Sequence, residues 1–226
     1  MTEPTPEQRI KIEAWAEKCA SKKQTWIRYL TKLYGPRFIR EYGTPKRIMC
    51  YTPQQLYGQI LHFNRGLLNT AFISVNGYAK TVIATDRERQ KVKPDNNSVI
   101  ITRLFNDFDI EPEKGVYTDL VHKESLEFYD RFEDYPREIR YSGSRGFHVE
   151  VLKNMTITEL NEFNRDIETL KMTTLCTKTD IGRLYRIPYS LHQKTFRQCI
   201  PIDPSWSLDK IINESETFRA PPAVIL

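Results

Sequence analysis

At 226 residues, 39% hydrophobic and 28% charged, the chain has enough apolar material for one substantial core, which excludes a disordered or fibrous polypeptide. Its apolar runs are only a few residues long, so nothing reads as a membrane span or signal peptide, and a soluble intracellular (cytoplasmic) protein without membrane contact is expected. Cysteines 19, 50, 176 and 199 show neither C-x-x-C spacing nor a neighbouring histidine in a zinc pattern, so neither a zinc ribbon nor a disulfide framework is supported.

The net charge of +5 is unevenly placed: residues 1–47 hold 11 Lys/Arg against 5 Asp/Glu, and residues 48–226 hold 23 against 24. In this first segment Lys22, Lys23, Arg28, Lys32, Arg37, Arg40, Lys46 and Arg47 alternate with Trp26, Tyr29, Tyr34 and Tyr42. That mixture suits a nucleic-acid backbone with stacked bases, and equally a solvated helix face over buried aromatics.

In chain order, Thr5-Pro6-Glu7-Gln8 is an N-cap, a first-turn proline and a closing glutamine, and Trp26, Ile27, Leu30, Leu33 and Tyr34 recur at helical spacing until Gly35-Pro36. Thr52-Pro53-Gln54-Gln55 repeats the start signal for a helix ending near Gly66. Ala71 to Val75 and Tyr78 to Ile83 flank Asn76-Gly77, a hairpin signal, and Asp86 to Asn97 reads as a surface excursion. Ser98 to Phe105 is a strand, Leu120 to Phe132 a helix, and Arg137 to Tyr141 and Phe147 to Leu152 are strands. Thr156 and Glu159 cap a helix to about Leu170, and Arg183 to Ile187 and Gln198 to Ile202 are short strands. Helices and strands alternate without a strict βαβ rhythm, so the expected class is α+β (mixed α/β).

Three segments carry chemistry. In Asp107-Phe108-Asp109, strand alternation puts both carboxylates on one face, roughly 6.6 Å apart at about 3.3 Å per residue. Such a pair repels itself unless a cation sits between, although two solvated aspartates at a strand end give the same string. Ser142-Gly143-Ser144-Arg145-Gly146-Phe147-His148 offers glycines, hydroxyls, an arginine and a histidine, a composition suited to an anion and shared with ordinary glycine-rich hairpins. Asp180 is a third acid, followed by Arg186, His192 and Lys194. Three carboxylates beside two basic loops are the parts of metal-assisted phosphoryl or nucleotidyl transfer.

In this order the segments resemble the three motifs of the archaeo-eukaryotic primase superfamily, the family of the small catalytic primase subunit and of plasmid and viral primase-polymerases. The resemblance spans roughly residues 70–203 and implies a template-dependent nucleotidyltransferase, a DNA primase or DNA-directed polymerase. It assigns Asp107, Asp109 and Asp180 to Mg²⁺ or Mn²⁺, and Ser142, Arg145, His148, Arg186, His192 and Lys194 to the nucleotide phosphates. Single-stranded DNA template and nucleoside triphosphates are the implied partners, with a helicase or accessory subunit as a possible companion. It further implies an RNA-recognition-like catalytic sheet bearing the acids, beside a smaller αβ unit bearing the second motif. The division expected is a helical basic region over residues 1–66 and a catalytic core over 67–226, integrated as one domain. Phe72-Ile73-Ser74 resembles a family strand whose serine lies near the sugar. Ser144 stands where many members have arginine, Phe196 where glycine is frequent, and only six positions separate Asp180 from Arg186, which points to a compact plasmid, viral or mobile-element type. A two-metal nuclease or other phosphotransferase, and a non-catalytic nucleotide- or strand-binding module, are the alternatives.

Overall fold

The computed structural model describes residues 4–35, 39–43, 47–66, 70–86, 89–110, 118–177 and 180–222. Pro36, Arg37 and Lys46 of the basic segment, and residues 87 and 88, lie outside the described residues. Among the described residues no helix is long and apolar enough to cross a membrane.

The capping signals act as read. The Thr5 hydroxyl accepts from the Gln8 amide and the Gln8 side chain accepts from Thr5, starting α1 (Pro6–Ser21). The chain breaks at Lys22 (φ −118°, ψ 26°) and continues as α2 (Lys23–Tyr34), so one expected helix is two. Thr52 caps α3 (Pro53–Leu61), which relaxes into a π-turn over His62–Gly66. The aromatics of the basic segment are core: Trp26, Tyr29, Tyr34 and Tyr42 are buried, with Lys22, Lys23, Arg28 and Lys32 exposed beside them. The solvated face over buried aromatics is therefore the arrangement found, and these rings are not platforms for bases.

Between the helices lie β1 (Arg40–Tyr42) and β2 (Ile48–Cys50), three-residue strands inside the region expected to be helical. They pair with each other and, through β1, with β3 (Phe72–Ser74), which pairs in turn with β11 (Leu184–Arg186), giving a four-stranded antiparallel sheet in the order β11-β3-β1-β2. The Asn76-Gly77 hairpin does not form. β4 (Gly77–Tyr78) pairs instead with the start of β7 (Val99–Phe108), because the Asn76 side-chain amide is spent on the carbonyls of Asp180 and Ile181, turning the chain from one sheet to the other. The expected surface excursion instead supplies β6 (Arg89–Pro94), which pairs with β5 (Thr81–Asp86), a strand shifted from the expected Tyr78 to Ile83.

From β7 onward the elements run β7, α4 (Thr118–Asp130), β8 (Arg137–Tyr141), β9 (Phe147–Met155), α5 (Ile157–Thr169), β10 (Leu175–Thr177). Their sheet order β10-β7-β9-β8, all antiparallel, is that of the βαββαβ unit with its two outer strands last and second in the chain. The expected RNA-recognition-like sheet is thus present. β12 (Ile200–Pro201) extends it beyond β8, and α6 (Leu208–Ser215) follows with Ser207 as its cap. The second motif departs from expectation: it is the turn between β8 and β9 and belongs to this same sheet, because neighbouring hairpin strands keep their connection with them.

Alternation along β7 decides what lies on each face. Phe108 meets Phe128 of α4 at 5.4 Å and Leu104 clusters with Leu160 of α5, so the even positions face the helices. Phe105 meets Tyr185 of β11 at 5.1 Å, so Arg103, Phe105 and Asp107 face the other sheet. On that side lies a buried ionic lattice. Glu150 of β9 accepts from Arg103 Nη1 at 2.8 Å and from Arg140 Nη1, Arg140 also holds Glu138, and Arg103 Nη2 donates to the Leu33 carbonyl at the end of α2. Arg40 completes the join, donating to the Ser74 and Val75 carbonyls at 2.8 and 2.9 Å with its guanidinium over the Tyr34 ring.

Candidate active site

Asp107 is near the end of β7, opposite His148 on β9 and Thr177 on β10. Asp109 lies one residue past the strand, held by its amide's bond to the Thr174 carbonyl at 3.0 Å. The Asp107 carboxyl is pushed up to about 6, first by burial and then by the charge of Asp109, against the opposing pull of Arg186 and Arg183. Burial contributes more than the neighbouring carboxylate, and a bound cation would offset both. Asp107 Oδ1 is 3.5 Å from His148 Nε2. Burial, with Arg186 and Arg140 nearby, holds His148 well below the ordinary histidine range, so this contact joins a neutral ring to a carboxyl.

The second-motif loop closes on itself. The Ser142 amide donates to the Gly146 carbonyl at 2.9 Å, and the Gly146 amide donates to Ser142 Oγ at 3.3 Å. Both glycines are there for room. A Cβ on Gly146 would lie 2.5 Å from the Phe108 carbonyl oxygen and 3.3 Å from the Asp109 carboxyl. One on Gly143, whose φ is +85°, would lie 2.8 Å from the Arg197 carbonyl. The loop is therefore wedged between the acid pair and the segment carrying His192. Arg145 projects from it into solvent.

From the other sheet, β11 supplies Arg186, which is buried. Among the described residues its Nε and Nη1 have no hydrogen-bond partner, while Asp107 and Asp109 lie close enough to favour its charge against the burial that pulls its pKa down. A buried guanidinium with donors in hand is suited to an anion that arrives from outside. His192 follows in the loop after β11. Its Nδ1 accepts from the Lys194 and Thr195 amides, both at 3.3 Å, which leaves the ring proton on Nε2. Burial, then Arg186, Lys194 and Arg145, lowers its pKa to about 3. The charges of three cationic side chains thus bear on one neutral imidazole that has an N–H to donate.

Asp180 stands apart. It is exposed, its Oδ1 accepts from the Gly182 amide at 2.8 Å, and its Oδ2 is 3.4 Å from Arg183 Nη2. Among the described residues, no three His, Cys, Asp or Glu side chains gather closely enough to hold a metal ion. The fold therefore brings Asp107 and Asp109 together with His148 and Arg186 and sets the charges of Arg186, Lys194 and Arg145 within reach of His192, while Asp180 is paired with Arg183. Ser142 sits beside them with its hydroxyl engaged in its own loop. Ser74, resembling the family's sugar-side serine, is fully buried and committed, donating to the Asn76 carbonyl at 2.8 Å and accepting from the Glu41 amide at 3.2 Å.

Three participants were given no role by the sequence. Thr195 Oγ1 donates to the Gly143 carbonyl and so ties the two basic loops together. Arg183 pairs with Asp180. Arg140 lies behind His148, across the β8–β9 register, with Glu150 two residues along the same face. Only the last was visible in principle, as charged residues at alternate positions on consecutive strands.

No protein-family model and no curated protein sequence matches the chain. Among solved structures, the polymerase domain from Mycobacterium tuberculosis Ligase D in complex with DNA is similar to it at a TM-score of 0.48 and 12% identity, covering 91% of this chain and 88% of that one.

Proposed function

We propose that the chain is a template-dependent nucleotidyltransferase of the primase-polymerase type, making or extending primers on single-stranded DNA from nucleoside triphosphates. One observation carries the reading: a pair of neighbouring carboxylates stands beside a buried guanidinium whose Nε and Nη1 have no partner among the described residues, at the edge of a group of basic side chains. The first half of that arrangement suits a divalent cation and the second a polyphosphate.

The donor set fits Mg²⁺ or Mn²⁺, hard ions that take carboxylate oxygens. Asp107 and Asp109 would hold the metal, with Asp180 joining when its carboxylate is released from Arg183. When bound, the ions supply Lewis-acid polarisation of the α-phosphate and activate the attacking 3′-hydroxyl. The protein's own groups do the rest. Arg186 grips phosphate oxygens from a desolvated position where its charge is poorly screened. His192 donates Nε2–H, and Arg145 and Lys194 meet the outer phosphates from solvent. His148 orients Asp107 at the strand end, and the Ser142–Gly146 turn sets the wall of the triphosphate site. The exposed lysines and Arg28 of the N-terminal helices give single-stranded template a backbone contact.

The test offers a single-stranded DNA template, all four ribonucleotides and deoxynucleotides, and Mg²⁺ or Mn²⁺, without primer and then with one. Metal-dependent product accompanied by pyrophosphate, lost in Asp107→Ala and Asp109→Ala proteins that keep the wild-type circular dichroism, is the expected result. Product made undiminished by the double variant, or cleavage of the added DNA in place of synthesis, refutes it.

A further inference from the structure

We propose that Arg183 is a built-in counter-cation of the acid cluster, competing with the divalent ion for Asp180 and thereby setting the metal affinity of the site. The inference rests on the reading of Asp107, Asp109 and Asp180 as metal ligands and adds to it the group that regulates them. Both carboxylate oxygens of Asp180 are occupied, Oδ1 by the Gly182 amide at 2.8 Å and Oδ2 by Arg183 Nη2 at 3.4 Å. A divalent ion at this carboxylate would have to share it with the guanidinium or displace it. The same guanidinium is near enough to Asp107 to favour its ionised form, so one cation serves two acids.

The backbone shows which part can move. The Arg183 carbonyl accepts from the Val75 amide at 2.9 Å and the Arg183 amide points back to the Asp180 carbonyl, so the main chain is fixed to the end of β3. The side chain is 34% exposed, its ion pair spans only three positions, and its partner is 57% exposed. A pair so open to water is weak, so a divalent ion can displace it, yet while it persists it neutralises charge the metal would otherwise meet. Arg183 therefore acts through Asp180 and Asp107 as a positioning residue, with no contact to substrate needed for its effect.

The experiment titrates the full chain with Mn²⁺ alone, without nucleotide or DNA, following free Mn²⁺ by electron paramagnetic resonance. Removing the competing charge in R183Q should tighten Mn²⁺ binding about three- to tenfold, the scale of one screened unit charge a few ångströms away. R183M, which keeps the aliphatic stem, should behave like R183Q, and R183K, which keeps the charge, should remain close to wild type. Melting curves in chelator identify any variant that fails to fold, and either neutral variant suffices. Unchanged or weaker Mn²⁺ binding by folded R183Q and R183M overturns the proposal while leaving the metal reading intact. Absence of Mn²⁺ binding in wild type and neutral variants alike removes the metal reading and this inference with it.

Discussion

Gly146 is the residue at which the acid pair and the second-motif loop touch, and its missing side chain is the condition of that contact. Gly146→Ala puts a methyl group 2.5 Å from the Phe108 carbonyl oxygen. The variant should lose about 1–3 kcal/mol of stability by chemical denaturation and bind nucleotide more weakly, since the loop must withdraw from Asp109. His192 offers a pH test. Its folded pKa of about 3 lies below the ordinary 6.5, so the unfolded chain binds a proton between those values and the folded one does not. The stability it confers is complete above about pH 6.5 and is lost as pH falls toward 3. Asp107, raised to about 6, has the opposite slope between about 4 and 6. The measurement is therefore the difference between wild type and His192→Gln: melting temperature should fall less steeply on acidification in the variant, and parallel curves would contradict the burial of a neutral ring. The pairing of Asp107 with Asp109 followed from a local spacing, and the proximity of Arg186 to both from a resemblance of motifs. The engagement of Ser142 Oγ, the commitment of Ser74 and the Asp180–Arg183 pair were not legible, because each depends on how a loop closes or which strand end it meets.

Among the elements, β7, β8 and β9 are joined by more than their ladders. Glu150 is buried between Arg103 and Arg140, and its removal strands two guanidinium groups away from water. Glu150→Ala should cost about 3–5 kcal/mol, against less than about 1 kcal/mol for Glu138→Ala, whose carboxylate is 35% exposed. Equal effects measured by urea unfolding would show that the lattice does not depend on its central acid. Helix starts were the most legible elements, since Thr5 with Gln8 and Thr156 with Glu159 form both bonds of the capping box within four residues. The Asn76-Gly77 signal misled because β3 and β4 each found a better edge in a different sheet. β1 and β2 are three residues long, too short for any periodicity to announce them.

For the molecule as a whole, the first 66 residues and those after them share one core. β1 pairs with β3, Trp15 Nε1 donates to the Tyr189 carbonyl at 3.0 Å, and Trp26 and Tyr29 pack edge-on against the Tyr189 ring. A fragment beginning at residue 67 should therefore show no cooperative melting transition, and a well-folded fragment with wild-type nucleotide binding would contradict this. The α+β class followed from the succession of elements, and the acid-bearing sheet from a resemblance of motifs. The closure of the second sheet against the first was hidden, because it depends on which face of β7 meets Tyr185, a contact between residues eighty positions apart. That closure changes what an RNA-recognition-like unit can do. In such units the open sheet face is where aromatic rings stack the bases of a single strand. Here that face is shut: Phe105 is roofed by Tyr185, and α2 lies across the end of Arg103. Under the proposed function a strand of nucleic acid would find no floor on that face and would meet this sheet end-on, at the rim where β7 runs out and Asp107 and Asp109 stand, an edge that would suit adding one nucleotide at a time.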